Sequence, residues 1–263
     1  MDFGRNMKAP IVLIGIGELG GEFARGFLRC GHPVYPITRQ MDMQQECDRI
    51  PSPCLVLITV QENELDAVLK QLPASWRDKV GLVQNELLPW HWQRHNIAEP
   101  SVAVVWFEKK PEMALTNILY TPVYGPQAEL LAQALDAIKI PQRVLNNEDE
   151  LLYELLRKSL YIMTVNICGL ACGGSAGNLW KQHQGLMREV ALEAVAILEW
   201  LTDQNLPAEK LIAGMVEGIE DCPNRNSVGR SAPARLKRAL HYAREAGLEV
   251  PRMADIYRRA TEA

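Results

Sequence analysis

The amino-acid sequence predicts an α/β Rossmann domain, with a doubly wound and mostly parallel sheet, followed by an all-α C-terminal domain. Three observations predict it. Residues 10–15, PIVLIG, form an apolar, β-branched run that opens directly into a glycine motif. Apolar runs then alternate with helical periodicity as far as residue 146. Beyond residue 147 the strand pattern stops and only helical periodicity remains.

Residues 10–15 read as a strand covered on both faces, because a continuous apolar run leaves no side for water. From Gly20 to Cys30 the apolar residues Phe23, Ala24, Phe27 and Leu28 fall at helical spacing, and Gly31 ends the helix. Residues 33–38, 54–60, 79–84, 102–107 and 117–124 read as further strands, and 64–72 and 127–138 as helices. Alternation of this kind implies a mainly parallel sheet covered on both faces. In the second half, residues 148–165, 187–202, 207–219, 233–246 and 253–261 read as helices. The expected boundary lies in the turn-like stretch from Pro141 to Asp149, giving a nucleotide-binding domain over 1–146 and a helical domain over 147–263. A cleft between two such domains is where ligands commonly bind.

Composition narrows the function classes. The chain of 263 residues is 48% hydrophobic and 23% charged, enough apolar material for a core. A net charge of -4 gives no reason to expect nucleic acid or an anionic membrane as partner. No apolar run reaches the roughly 18 residues of a spanning helix. The charged lead before residue 10 runs into a strand and a glycine motif, so it is read as the start of a domain and not as a signal peptide. Six cysteines, none in a CxxC pair, read as buried or idle thiols of a cytoplasmic protein.

Gly15, Gly17 and Gly20 fit GxGxxG with a strand before and a helix after, the context the motif requires. Gly15 permits a tight turn, Gly17 lets backbone approach a pyrophosphate, and Gly20 lets the helix pack against the strand. The backbone from Gly15 through Ile16, Gly17, Glu18 and Leu19 to Gly20 then presents free N–H groups to phosphate. The second strand ends at Thr38-Arg39, where an NAD site would place Asp or Glu for the ribose 2′-hydroxyl. A guanidinium suits a 2′-phosphate, so Arg39 favours NADP(H) over NAD(H). Asp42 is close by and argues the other way.

The ordered set of these features resembles the ketopantoate reductases over nearly the whole chain. Its pieces are the glycine motif, Val83-Gln84-Asn85, Gly125-Pro126, a helix with Lys158 and Asn166, and AGLEVPRMADIY from Ala246 to Tyr257. The resemblance implies reduction of a ketone by NADPH. By it Lys158 is the catalytic lysine near the keto oxygen, Asn166 the second of two substrate-holding helical asparagines, and Ser227 the late substrate serine. Asn85 is the asparagine beside the nicotinamide. The match breaks at four places: Ile162 stands where the first helical asparagine belongs, Gln61 where the family has lysine, Glu86 where it has glycine, and Ser231 near its late glutamate.

The chemistry fits these roles. Hydride addition to a ketone builds negative charge on oxygen, which an ammonium stabilises and protonates. Lys158 and Asn166 are eight residues apart on a helix, so both face one side. A structural reading stands beside it. Lys158 follows Arg157, as on the solvated side of an amphipathic helix, and Asn166 sits where a helix caps or bends before glycine-rich sequence.

His91 and His95 in HWQRH lack the intervening Glu of a zinc helix, so no metal is expected. Gly169 to Gly177 reads as an interhelical turn, the six tryptophans as packing residues, and Arg225, Arg230, Arg235, Lys237 and Arg238 as a solvated basic surface. Three functions remain open: an NADP(H)-dependent reductase of a small carbonyl compound, a non-catalytic NADP(H)-binding sensor or interaction protein, and another dehydrogenase of the same plan. A homodimer is compatible with an exposed helical face.

Overall fold

The computed structural model describes residues 8–109 and 111–262; the charged lead, residues 1–7, lies outside them. The chain divides into two compact units between Leu152 and Tyr153.

The first unit runs β1 (Ile11–Ile14), α1 (Glu18–Arg29), β2 (Val34–Ile37), α2 (Met43–Arg49), β3 (Leu55–Ile58), α3 (Leu65–Gln71), a 3-10 helix (Ala74–Lys79) and β4 (Val80–Leu82). It continues α4 (Trp90–Gln93), β5 (Ser101–Ala103), β6 (Phe107–Glu108), β7 (Thr116–Asn117), β8 (Thr121–Tyr124), α5 (Ala128–Ala137) and β9 (Gln142–Val144). Seven strands form one sheet in the order β2-β1-β3-β4-β5-β8-β9. The first five are mutually parallel. β8 pairs antiparallel to β5, and β9 parallel to β8, so the last two strands run the other way. The sheet is therefore mostly parallel, as the sequence predicts.

β1 and β3 are buried at every residue, which matches their unbroken apolar runs. One face of the sheet packs on Phe23 and Phe27 of α1 and on Leu131 and Leu135 of α5. The chain leaves β1 for β2 on one side and reaches β3 on the other. The order therefore reverses at β1, and in doubly wound sheets the crevice beyond the strand ends at such a point takes the ligand.

Several elements differ from expectation. The run 102–107 stops as a β5 strand at Ala103, and 117–124 divides into β7 and β8, with Phe107–Glu108 and Thr116–Asn117 forming a separate hairpin. β9 lies in the stretch read as a turn. It is one of the sheet's two edge strands, no residue of it is fully buried, and it holds a single apolar residue, so its pattern is weak. α2 has one buried residue, Cys47, and hence no visible periodicity.

The second unit takes most of α6 (Glu148–Cys172), then α7 (Ala176–Gln182), α8 (Gln184–Thr202), α9 (Ala208–Asp221), α10 (Ala232–Ala246) and α11 (Pro251–Glu262). α8 is its central helix, packed on α7, α9, α10 and α11 through Met187, Val190, Ala191, Ala194 and Ile197. α6 extends to Cys172, seven residues beyond the sequence-predicted end at 165. It is apolar and long enough to cross a membrane, but 72% of its most apolar window is buried in the protein, which accounts for that composition. α7 is hidden in the glycine-rich stretch and starts where the Ser175 side chain accepts from Asn178 N.

Candidate functional site

The glycine motif forms the turn from β1 into α1. Gly15 has φ +92°, a conformation that L side chains rarely adopt. The Thr59 hydroxyl, just past β3, donates to Gly15 O, and Thr59 N donates to Ile14 O at 2.8 Å. A Cβ at Gly20 would lie 2.3 Å from Gly15 O and 2.7 Å from Thr59 Oγ1, so this glycine is required for α1 to meet the turn. Gly17 differs. Its φ of -71° suits any residue, and a Cβ there would meet no atom of the described residues within 4 Å. The fold does not demand a glycine at 17, whereas a ligand approaching the backbone would.

Gly17 is also the N-cap of α1, and among the described residues no side chain caps it. The first-turn N–H groups thus stay available to an anion. The residues fit a dinucleotide pyrophosphate: a bare backbone cradle, at the topological switch, with open space where a side chain would stand. Glu18 begins α1 beside this cradle, and its carboxylate accepts an ion pair from Lys109 Nζ at 3.1 Å. Ile16 and Glu18 are exposed and Leu19 is half-buried.

Arg39 lies just beyond β2, its side chain 82% exposed and paired with the Glu64 carboxylate. Asp42 is not a rival ribose ligand in this geometry. Its carboxylate accepts from Gln45 N at 2.8 Å and serves as the N-cap of α2. Gln61 is exposed and forms a turn with Glu64, through Glu64 N to Gln61 O at 3.0 Å.

Beyond β4, Gln84 is buried and fixes two strand ends together. Its Nε2 donates to Ile58 O at 2.7 Å and to Val60 O at 3.3 Å, and its Oε1 accepts from Val83 N at 3.1 Å. This leaves Asn85, half-buried, at the end of β4. Glu86 follows with φ +55°, a left-handed conformation that glycine adopts more easily.

In the second unit, Arg157 and Lys158 are 4% and 5% exposed, which corrects the solvated reading of this pair. Arg157 ties α6 to α9, donating to Gly214 O at 2.8 Å and to Glu217 Oε2 at 3.0 Å. Lys158, Ile162 and Asn166 follow one another at four-residue steps and so share one face of α6. Asn166 spans two neighbours: its Nδ2 donates to Ser227 O at 2.9 Å, and its Oδ1 accepts from Arg235. Ser227 is fully buried, and its hydroxyl donates to Gly174 O at 2.8 Å. Asn166 and Ser227 are thus brought together, with the Ser227 hydroxyl committed to the loop after α6. Arg235 is 4% exposed and belongs to this polar cluster, which corrects its reading as solvated surface. Arg225 is half-buried, donating to the Tyr161 hydroxyl at 3.4 Å.

His91 and His95 do not converge. His91 Nδ1 lies 3.0 Å from Leu88 N, whereas His95 Nε2 meets Asp66 at 2.9 Å. Among the described residues no group of three or more potential metal ligands occurs. The sequence reading missed Thr59, Glu64 and Lys109, and it gave Gln84 and Arg235 no such role, placing the one in a motif and the other in a basic cluster. Each acts on a residue 25 or more positions away, although Gln84 also meets Val83 and Glu64 also meets Gln61, so local pattern carries no signal for these pairings.

No family model and no curated protein sequence matches the chain. Solved structures do. The 2-dehydropantoate 2-reductase, or ketopantoate reductase, of Methylococcus capsulatus superposes with a TM-score of 0.66 at 14% identity, covering 96% of each chain. A dimeric ketopantoate reductase of Staphylococcus aureus gives 0.64 at 16% identity, covering 96% of this chain and 98% of that one. D-mandelate dehydrogenase in complex with NADH gives 0.67 at 14%, with coverage of 96% and 98%. At these identities the likeness establishes the fold.

Proposed function

We propose that this chain, which carries the ketopantoate reductase fold, is an NADP(H)-dependent oxidoreductase that reduces a small keto acid or a related carbonyl compound. The observation that carries the reading is the open space at Gly17, a glycine the fold does not require, in a cradle at the switch point of the sheet. Gly15 to Gly20 would hold the pyrophosphate, Arg39 a ribose 2′-phosphate, and Asn85 the nicotinamide end. When bound, the nucleotide supplies a hydride. Lys158 holds a proton and positive charge for the carbonyl oxygen. Asn166, on the same face of α6 as Lys158 and held by Arg235 and Ser227 O, would bind substrate through its remaining amide hydrogen and lone pair. Ser227 acts through the loop it anchors.

Ile162 offers no hydrogen bond at the middle of that face. A substrate polar group buried there without a partner would lose roughly 1–3 kcal/mol, so the substrate is more apolar at that position than ketopantoate. The NADH complex of the D-mandelate dehydrogenase neighbour shows this fold serving a nicotinamide cofactor, and the dimeric neighbour supports assembly of two copies.

A second reading has its own support. With Ile162 apolar and the Ser227 hydroxyl engaged by Gly174, a non-catalytic NADP(H)-binding sensor or interaction protein fits the same residues. NADPH oxidation with a panel of 2-keto acids separates the two. Turnover that is lost in Lys158→Ala supports the reductase. NADPH binding with no turnover on any member supports the sensor.

A further inference from the structure

β2 and β3 lie on either side of β1, so their ends are about 10 Å apart. Arg39 follows β2 and Glu64 follows the end of β3, and their side chains meet across that gap. The carboxylate is held from both sides. Oε1 accepts from Arg39, and Oε2 accepts from Gln61 N at 3.4 Å, within the turn that Glu64 N closes on Gln61 O. Glu64 is the more enclosed partner, at 29% side-chain exposure against 82% for Arg39. The anchored member is thus the acid, and the guanidinium is drawn to it.

A ribose 2′-phosphate needs that same guanidinium. It is an anion, as the carboxylate is, and it offers two or more oxygens to the planar donor fork. Binding it means pulling Arg39 off Glu64 or accepting a carboxylate close to the phosphate. A nucleotide without the 2′-phosphate has neither requirement and leaves the ion pair intact. Resting on the NADP(H) reading above, we propose that Glu64 is a specificity-determining residue that competes with the 2′-phosphate for Arg39 and so narrows the preference for NADPH over NADH.

An exposed ion pair of this kind is worth a modest factor, so the effect is about two- to fivefold. The test is calorimetric titration of NADPH and of NADH into the wild-type protein, Glu64→Gln, Arg39→Ala and the double variant. Glutamine keeps the length of the side chain and an oxygen for Gln61 N. Glu64→Gln is expected to bind NADPH about two- to fivefold more tightly and NADH unchanged. In the Arg39→Ala background the same substitution is expected to have no effect, because the competition runs through the guanidinium.

Three outcomes overturn the proposal. An equal gain with and without Arg39 makes Glu64 a source of general repulsion. Weaker NADPH binding in Glu64→Gln makes it a residue that presents Arg39 to the phosphate. Unchanged NADPH binding gives it no role. If neither nucleotide binds the wild-type protein, the NADP(H) reading itself falls, and that result is distinct from the other three.

Discussion

Two glycines of one motif are expected to respond in opposite ways to the same added methyl group. At Gly20 the new Cβ would lie 2.3 Å from Gly15 O and 2.7 Å from Thr59 Oγ1, about 1 Å inside ordinary contact. The oxygen belongs to a tight turn and cannot rotate away. Overpacking of this severity costs about 3 kcal/mol, which for a domain of this size lowers Tm by roughly 6–12 °C. At Gly17 the methyl meets nothing within 4 Å, and φ -71° with ψ -168° is open to alanine. Alanine is the poorer N-cap but also restricts the unfolded chain. These opposing effects are each within about 1 kcal/mol, so Tm moves by less than about 3 °C. The methyl stands where the pyrophosphate would approach the backbone, and NADPH affinity is expected to fall roughly 10–100-fold, by analogy with overpacking of about 1–3 kcal/mol. Thermal melts with calorimetric titration check both halves. Gly17→Ala binding NADPH as tightly as the wild-type protein would refute the cradle, and Gly17→Ala melting like Gly20→Ala would refute the claim that the fold spares position 17.

Lys158→Ala is expected to lower kcat for keto-acid reduction about 100-fold while NADPH affinity stays within about twofold; steady-state kinetics and titration check it, and unchanged turnover would make the lysine structural. Thr164→Val is expected to stabilise the protein by about 1 kcal/mol, read as a higher urea midpoint, because the fully buried Thr164 hydroxyl has no hydrogen-bond partner among the described residues. Burial pushes the Cys168 thiol from 9.0 up to about 12. Its folded form holds the proton more tightly than the unfolded form, so this contribution is complete below about pH 9 and is lost as pH rises toward 12, the loss at pH 10 being roughly 1.4 kcal/mol. Urea midpoints at pH 8 and pH 10 should therefore diverge less in Cys168→Ala than in the wild-type protein, and equal slopes would discount the thiol.

What was legible in the sequence is what neighbours in sequence decide. Residues 10–20 carry strand, turn and helix in one contiguous pattern, because burial on both faces demands apolar side chains and the turn demands glycine. The β1–α1 turn and the direction of the sheet followed from this. β9 was not legible because Gln142–Val144 contains one apolar residue, whereas β2, at the other edge of the sheet, carries Val34, Tyr35 and Ile37 and was read from its apolar run. The Arg157-Lys158 pair shows the same limit in the second unit. Charged residues read as solvated by default, and only the Gly214 carbonyl and Glu217, 57 and 60 positions away, reveal that α6 buries Arg157.

The candidate site divides along the same line. Its backbone component is a property of a short segment, and the glycine motif announced it. Its side-chain components are pairings between distant segments: Glu64 with Arg39 at a separation of 25 residues, Ser227 with Asn166 at 61, and Arg235 with Asn166 at 69. Such pairs exist only once the sheet order and helix packing are set. They also decide what remains for a ligand. Arg39 read alone is a cation free for a phosphate, whereas Arg39 read with Glu64 is a cation already engaged, and under the proposed NADP(H) reading the affinity for the phosphate would be a difference between two anions. Selectivity of the proposed site would then be a property of the pair, and a motif that names one member cannot give its size.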